Sequence, residues 1–103
     1  MREGKSLGFV SDRGMPGISD PGAILVAQAR REGYGVVPIP GPSAPTTLLP
    51  VSGYLSDRFV FLGFLSEKKS ERDRLLDGAA ALDLTIAFFE SPRRVRDLCK
   101  ELK

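Results

Sequence analysis

No histidine occurs anywhere in the 103 residues, and Cys99 is the lone cysteine. The first absence removes His-based catalytic triads and His-containing zinc sites. The second removes an internal disulfide framework and a cysteine metal cage, and it suits a reducing compartment. No apolar run reaches the 18 residues of a membrane span, and no secretory pattern opens the chain. Charge of one sign is also missing. Fifteen basic and thirteen acidic residues leave a net charge of +2. Such a balance does not by itself single out nucleic acid as a partner. The expectation from these absences is a cytoplasmic protein with no membrane contact.

What is present alternates. Apolar runs at 6–10, 35–39, 58–65 and 84–90 read as strands, and the segments between and after them read as helices. Helix one is expected over 21–32, with Asp20 as N-cap, Pro21 at the first helical position and Gly33 as the stop. A short helix is expected over 43–52. A third is expected over 67–82, capped by Ser66 or Ser70 and weakened by Gly78. The fourth follows Ser91-Pro92 and carries an apolar stripe at Val95, Leu98, Cys99 and Leu102. This order implies an α/β chain with mainly parallel strands. The Pro/Gly-rich stretch 38–53 is its natural seam, giving parts of two α/β domains at 1–53 and 54–103. The chain is expected to be incomplete, because it opens close to an apolar run, closes inside a helix, and splits into pieces neither of which is large enough to cover a parallel sheet.

The connection "SDRGMPGISDPG", residues 11–22, holds three glycines and two prolines in twelve positions. A strand-to-helix connection ordinarily takes about 2–6 residues. Glycine lets backbone approach a ligand and proline holds a loop in one shape. In open α/β sheets ligands bind where strands end and helices begin. Three such ends are distinctive: this loop, "PIPGPSA" and "FFESPRR". Neither the dinucleotide nor the P-loop glycine pattern occurs. Asp12, Asp20 and Glu90 form at best a weak carboxylate metal set, since Asp20 is more simply a cap. The basic residues Lys68, Lys69, Arg72, Arg74, Arg93, Arg94 and Arg96 stand among acidic neighbours, which leaves solvated helix faces and phosphate contact both open. Phe59, Phe61 and Phe64 suit a strand core. Phe88 and Phe89, consecutive, point to opposite faces, so one can be core and the other can face a ligand.

"VSDRGMPGISDPG", "VVPIPGPSA", "SGYLSDRFVFLGFLSEKK" and "TIAFFESPRRV", in this order, closely resemble the tetrapyrrole (corrin/porphyrin) methylase family across residues 6–103. The blocks look nearest to the branch that methylates a cytidine ribose 2′-hydroxyl in bacterial small-subunit (16S) ribosomal RNA. The resemblance implies two α/β domains with S-adenosyl-L-methionine (SAM) in the cleft between them as methyl donor, and no metal. By matching position, Arg13, Gly14, Met15, Ile18 and Ser19 would hold the methionine and ribose parts, largely through backbone. Ser43 and Ala44 would line the pocket, and Phe89 and Glu90 would approach the adenine. No residue is matched to a catalytic base. If the acceptor is RNA, Lys68, Lys69, Arg72, Arg93 and Arg94 are the expected phosphate contacts.

Departures from the family pattern are specific. Arg13 and Met15 stand where Ala and Thr are usual, Arg93 replaces the His of "ESPHR", and Ser66 replaces the Pro of "GFLP". A Thr hydroxyl contact would be lost at Met15. Two other readings stay open on sequence: methylation of a corrin precursor, and a non-catalytic interaction module that keeps the fold. Exposed sheet edges add self-association, as a homodimer, to the expected partners.

Overall fold

The computed structural model describes residues 4–102. It is α/β, and it divides into two compact units between Thr47 and Leu48. The sequence seam at 53/54 lies slightly beyond that division.

In the first unit the main element is α1, Ala23–Arg31. Its end follows the sequence: Tyr34 N–H donates to Ala29 O at 2.9 Å and Gly33 N–H to Arg30 O at 3.1 Å. Gly33 has φ 78°, the left-handed conformation that this double-bonded helix stop requires. The start corrects the expectation. Gly22, with φ 128°, occupies the N-cap position, and no side chain caps the helix. Asp20 and Pro21 therefore lie before the helix rather than at its N-cap and first turn. Phe9 explains the shift, because an ideal Cβ on Gly22 would lie 2.8 Å from its Cε1. The ring packs where any other residue would carry a side chain. Helix α2, Ala44–Leu48, begins as expected after Ser43, whose carbonyl accepts Thr47 N–H at 2.9 Å.

The segments 6–10 and 35–39 form no strands, which is a second correction. A parallel strand exists only by pairing, and neither segment has a ladder partner among the described residues. Most of their apolar side chains stay in solvent, Val10 at 86% and Ile39 at 82% exposure, while Val36 is half-buried and the Phe9 ring packs on Gly22. Ala29 is the buried apolar residue of this unit.

The second unit opens with a 3₁₀ turn at Leu49–Val51. It then holds β1 (Phe59–Phe64), α3 (Lys69–Ala80), β2 (Thr85–Phe89) and α4 (Val95–Glu101). The strands pair in parallel, Phe59 with Thr85 and Phe61 with Ala87. This β-α-β unit is what the pattern of apolar runs predicts. The register then slips so that Phe64 faces Phe89. Gly63, at φ 66°, supplies the left-handed residue of that bulge. Leu49, Leu65, Ala79 and Leu98 are the buried apolar side chains. An apolar groove of about 610 Å³ runs between β1 and α3, lined by Val60, Leu62, Leu75 and Leu82 among others.

Two helix starts differ from expectation. Ser66 lies outside α3, yet its Oγ accepts Lys68 N–H at 3.2 Å and donates to Glu71 at 2.8 Å, so it organises the first turn from two residues upstream. Ser70 is inside the helix. Ser91 and Pro92 open a turn rather than α4 itself, with the Ser91 carbonyl accepting Arg94 N–H and Val95 N–H, both at 3.0 Å. Of the α4 stripe Leu98 is buried, while Val95, Cys99 and Leu102 are exposed.

Replacing Gly22 by Ala should destabilise the protein by about 1–3 kcal/mol, because the new Cβ meets the Phe9 ring and the backbone is strained for an L residue. Gly35→Ala, at an ordinary φ with nothing within 4 Å of its ideal Cβ, should change stability by less than about 0.5 kcal/mol. Denaturant melts of both variants check the contrast. Equal losses would remove the Phe9–Gly22 contact as the cause.

Candidate functional site

The loop between residues 11 and 22 is built from backbone shape. Gly14, Gly17, Ser19 and Gly22 all have positive φ, Ser19 at 53°. Few non-glycine residues adopt that conformation, so Ser19 marks a position where the fold overrides local preference. Ser11 Oγ donates to Gly14 O at 3.3 Å, Ile18 N–H to Met15 O at 3.4 Å, and Gly17 N–H to Pro21 O at 3.1 Å. The amides of Arg13, Gly14 and Met15 have no acceptor among the described residues. Asp20 Oδ2 is buried without a donor among the described residues. A loop with unpaired donors on one stretch and an unpaired acceptor on another is poised for a ligand that carries both.

This loop meets "PGPSA". An ideal Cβ on Gly41 would lie 3.2 Å from Met15 Sδ, and one on Gly14 would lie 3.6 Å from Pro42 O. The structure therefore brings Gly14 and Met15 beside the residues that lead into Ser43 and Ala44. Ser43 is half-buried and Ala44 is exposed at the first position of α2. Arg13, Ile18 and Ser19 are exposed on the same loop.

In the second unit the carboxyl ends of β1 and β2 lie side by side. Phe89, the last residue of β2, packs edge-on against Phe61, with ring centroids 4.9 Å apart, and tilted against Phe64 at 5.3 Å. Phe88 and Phe89 are both half-buried. The Glu90 side chain is only 5% exposed. Its Oε1 accepts Ser91 N–H at 2.6 Å and Arg94 Nε at 2.8 Å, and it forms an ion pair with Arg94 Nη2 at 2.7 Å. Arg94 Nη2 also donates to Leu65 O at 3.2 Å, just past β1. Burial pushes the Glu90 carboxyl up, but the Ser91 amide and the Arg94 guanidinium outweigh it and hold it below the ordinary carboxylate value, with a smaller contribution from the charge of Arg72.

The basic residues are differently placed. Lys68 pairs with Glu71 at 3.0 Å and Lys69 with Asp73 at 3.1 Å, all on exposed helix surface. The Ser66 hydroxyl and the Lys68 ammonium keep the Glu71 carboxyl below its ordinary value. Arg72, 12% exposed, is paired with Glu101 and ties α3 to α4. Arg93 is exposed and has no ion pair among the described residues. Glu90 and Arg94 are four positions apart, a spacing visible in the sequence although both precede α4. Asp20 carried no such signal, because a cap and an orphaned carboxylate read alike. Among the described residues no three His, Cys, Asp or Glu side chains gather into a group able to hold a metal ion, and no helix is long and apolar enough to cross a membrane.

The family model for tetrapyrrole (corrin/porphyrin) methylases matches residues 1–103. The chain belongs to that family. Curated relatives carry the name ribosomal RNA small subunit methyltransferase I. The one from Leptospira biflexa is 47% identical over 92% of this chain and 40% of its own length. Those of Mesorhizobium japonicum and Vibrio cholerae are 47% and 48% identical, over 94% and 97% of this chain and 33% and 34% of their own lengths. The chain thus spans about a third to two fifths of these family members.

The lowered Glu90 value fixes the sign of an acid effect. A carboxylate whose folded pKa is depressed contributes stability that is fully present above its unfolded value, near 4.5, and is lost as pH falls through the folded value. Between about pH 6 and about pH 3, wild type should therefore lose more stability than Glu90→Gln. Thermal melts across that range read the difference. Parallel curves would mean that Glu90 is not the group responsible.

Proposed function

We propose that this chain is part of an enzyme that transfers a methyl group from SAM to a cytidine ribose 2′-hydroxyl of small-subunit ribosomal RNA. Membership of the methylase family supports a methyltransferase, and the names of the curated relatives support ribosomal RNA as the acceptor. The observation that carries the cofactor reading is the loop at Arg13–Met15, with its unpaired amides, its left-handed glycine and the unpartnered Asp20 oxygen. Those groups suit SAM, which carries a carboxylate, ribose hydroxyls and an ammonium group. SAM supplies, when bound, the electrophilic methyl of its sulfonium.

The chain's own residues bind and position. Arg13, Gly14, Met15, Ile18 and Ser19 offer backbone to the methionine and ribose parts, and Asp20 Oδ2 accepts from a donor of the same ligand. Ser43 and Ala44, beside Gly41, line the pocket. Phe89 and Glu90 contribute from the strand ends of their own unit, Glu90 through its backbone because its carboxylate is already engaged. Positioning of donor and acceptor is the principal rate factor expected in such a transfer. No base is assigned among these residues.

Incubation of the protein with labelled SAM and small-subunit ribosomal RNA should place label on a cytidine ribose, and label on a corrin precursor instead would overturn the RNA reading. Gly14→Val should abolish SAM binding, because a branched side chain would occupy the face the backbone offers. Met15→Thr should keep binding within about threefold, whereas Asp20→Ala should weaken it about tenfold, the loss of one charge-assisted hydrogen bond. Calorimetric titration with circular dichroism as a fold control reads all three. Unchanged affinity in folded Gly14→Val would remove the loop from the cofactor site.

A further inference from the structure

We propose that Glu90-Ser91-Pro92-Arg93-Arg94 divides its charges between two tasks: Glu90 and Arg94 clamp the ends of β1 and β2 together, and Arg93 is held outward to meet an RNA phosphate. The second task rests on the RNA reading above; the first does not. One oxygen, Glu90 Oε1, takes two hydrogen bonds, from Ser91 N–H and from Nε of Arg94, and an ion-pair contact with Nη2 of Arg94. The same guanidinium reaches Leu65 O at the end of the neighbouring strand. It therefore joins two strand ends on the carboxyl edge of a parallel pair, the edge where ligands of such sheets bind.

Arg94 is a positioning residue. Its charge faces the buried Glu90 carboxylate and, at 3.5 Å, the exposed Glu67, and a phosphate would have to compete with the buried partner. Arg93 sits inside the turn that the clamp fixes. The Ser91 carbonyl accepts Arg94 N–H and Val95 N–H, and Pro92 locks the residue between. The side chain of Arg93 is exposed and, among the described residues, faces no carboxylate within ion-pair distance. Lys68 and Lys69 are paired but exposed, so their pairs can be exchanged for phosphates at little cost. Arg72 is largely buried on Glu101 and cannot.

The two tasks make different demands on chemistry. A phosphate contact asks for a positive charge, which lysine also supplies. The clamp uses a planar fork with two nitrogens on one oxygen and a third reach to a carbonyl, which lysine cannot reproduce. The experiment is binding of the protein to a small-subunit ribosomal RNA transcript across a salt series, with carbon-detected titration of Glu90 and amide exchange at Ser91.

Arg93→Ala should flatten the plot of log affinity against log salt by about one unit, and Arg93→Lys should restore it. Both should leave Glu90 and Ser91 as in wild type. Arg94→Ala and Arg94→Lys should keep the wild-type salt slope, while Ser91 exchange speeds up and Glu90 titrates higher, more so in the alanine variant. A slope reduced by Arg94→Ala with Glu90 and Ser91 unchanged would overturn the clamp. An unchanged slope in Arg93→Ala would overturn the outward task. Failure of wild type to bind the transcript would remove the RNA reading and the task of Arg93 together, with the Glu90 titration still judging the clamp.

Discussion

Parallel pairing of β1 with β2 is the constraint on which the second unit depends. Two parallel strands cannot be joined by a tight turn; the chain must leave one end of β1 and return to the other end of β2. Here α3 makes that return, leaving an apolar groove between itself and β1. A consequence is that both strands finish on the same edge. Leu65, Ser66, Phe89 and Glu90 are brought there by topology, though they are far apart in sequence. The Arg94 guanidinium can then satisfy a carbonyl from one strand end and a carboxylate from the other. Bonds to a charged donor are stronger than neutral ones, so the two strand ends are joined by charge-assisted contacts.

In the first unit the organising element is a loop, and its shape comes from conformations that side chains oppose. Four residues between 14 and 22 have positive φ, three of them glycine. Proline at 16 and 21 removes freedom where glycine adds it. The loop thus loses few alternatives on folding at its prolines while it keeps the bends that only glycine permits. Burial contributes little, since Ala29 is the buried apolar residue of the unit. Backbone restriction and the Phe9–Gly22 contact carry a larger share of its definition than a hydrophobic core does.

Much of this was legible in the residues, for identifiable reasons. Gly33 was readable because a helix stop has a single common solution, a left-handed residue just past the last turn. The β1-α3-β2 unit was readable because its strands are long apolar runs separated by a charged helix. The segments at 6–10 and 35–39 misled because an apolar run states a preference for burial and says nothing of the partner. Asp20-Pro21 misled because local capping chemistry was read without the Phe9 ring, a contact across thirteen positions of chain. Glu90 was expected near the adenine, with no role given to its carboxylate; this carboxylate pairs with Arg94, four positions away, and net charge gives no sign of it. Gly63 inside "FLGFL" was a visible warning of a bulge. What it re-aims, Phe64 onto Phe89, depends on the register of a strand more than twenty residues away.

The departures of this chain from its family pattern follow from the same division between backbone and side chain. Where the usual sequence has threonine, Met15 places its sulfur over Gly41 and fastens the loop to the segment that leads into Ser43. A threonine is too short to make that contact from the same backbone position. Glycine at 41 is what leaves room for the thioether, and methionine, flexible and polarisable, fills such a gap without demanding one geometry. Arg13 and Ile18 are exposed, so their side chains do not shape the loop. A site that works through backbone amides tolerates such exchanges, provided the glycines that set its bends are kept. Gly14 and Gly22, both with positive φ, are positions in this loop where that tolerance narrows, Gly22 the more so because its ideal Cβ would meet the Phe9 ring at 2.8 Å.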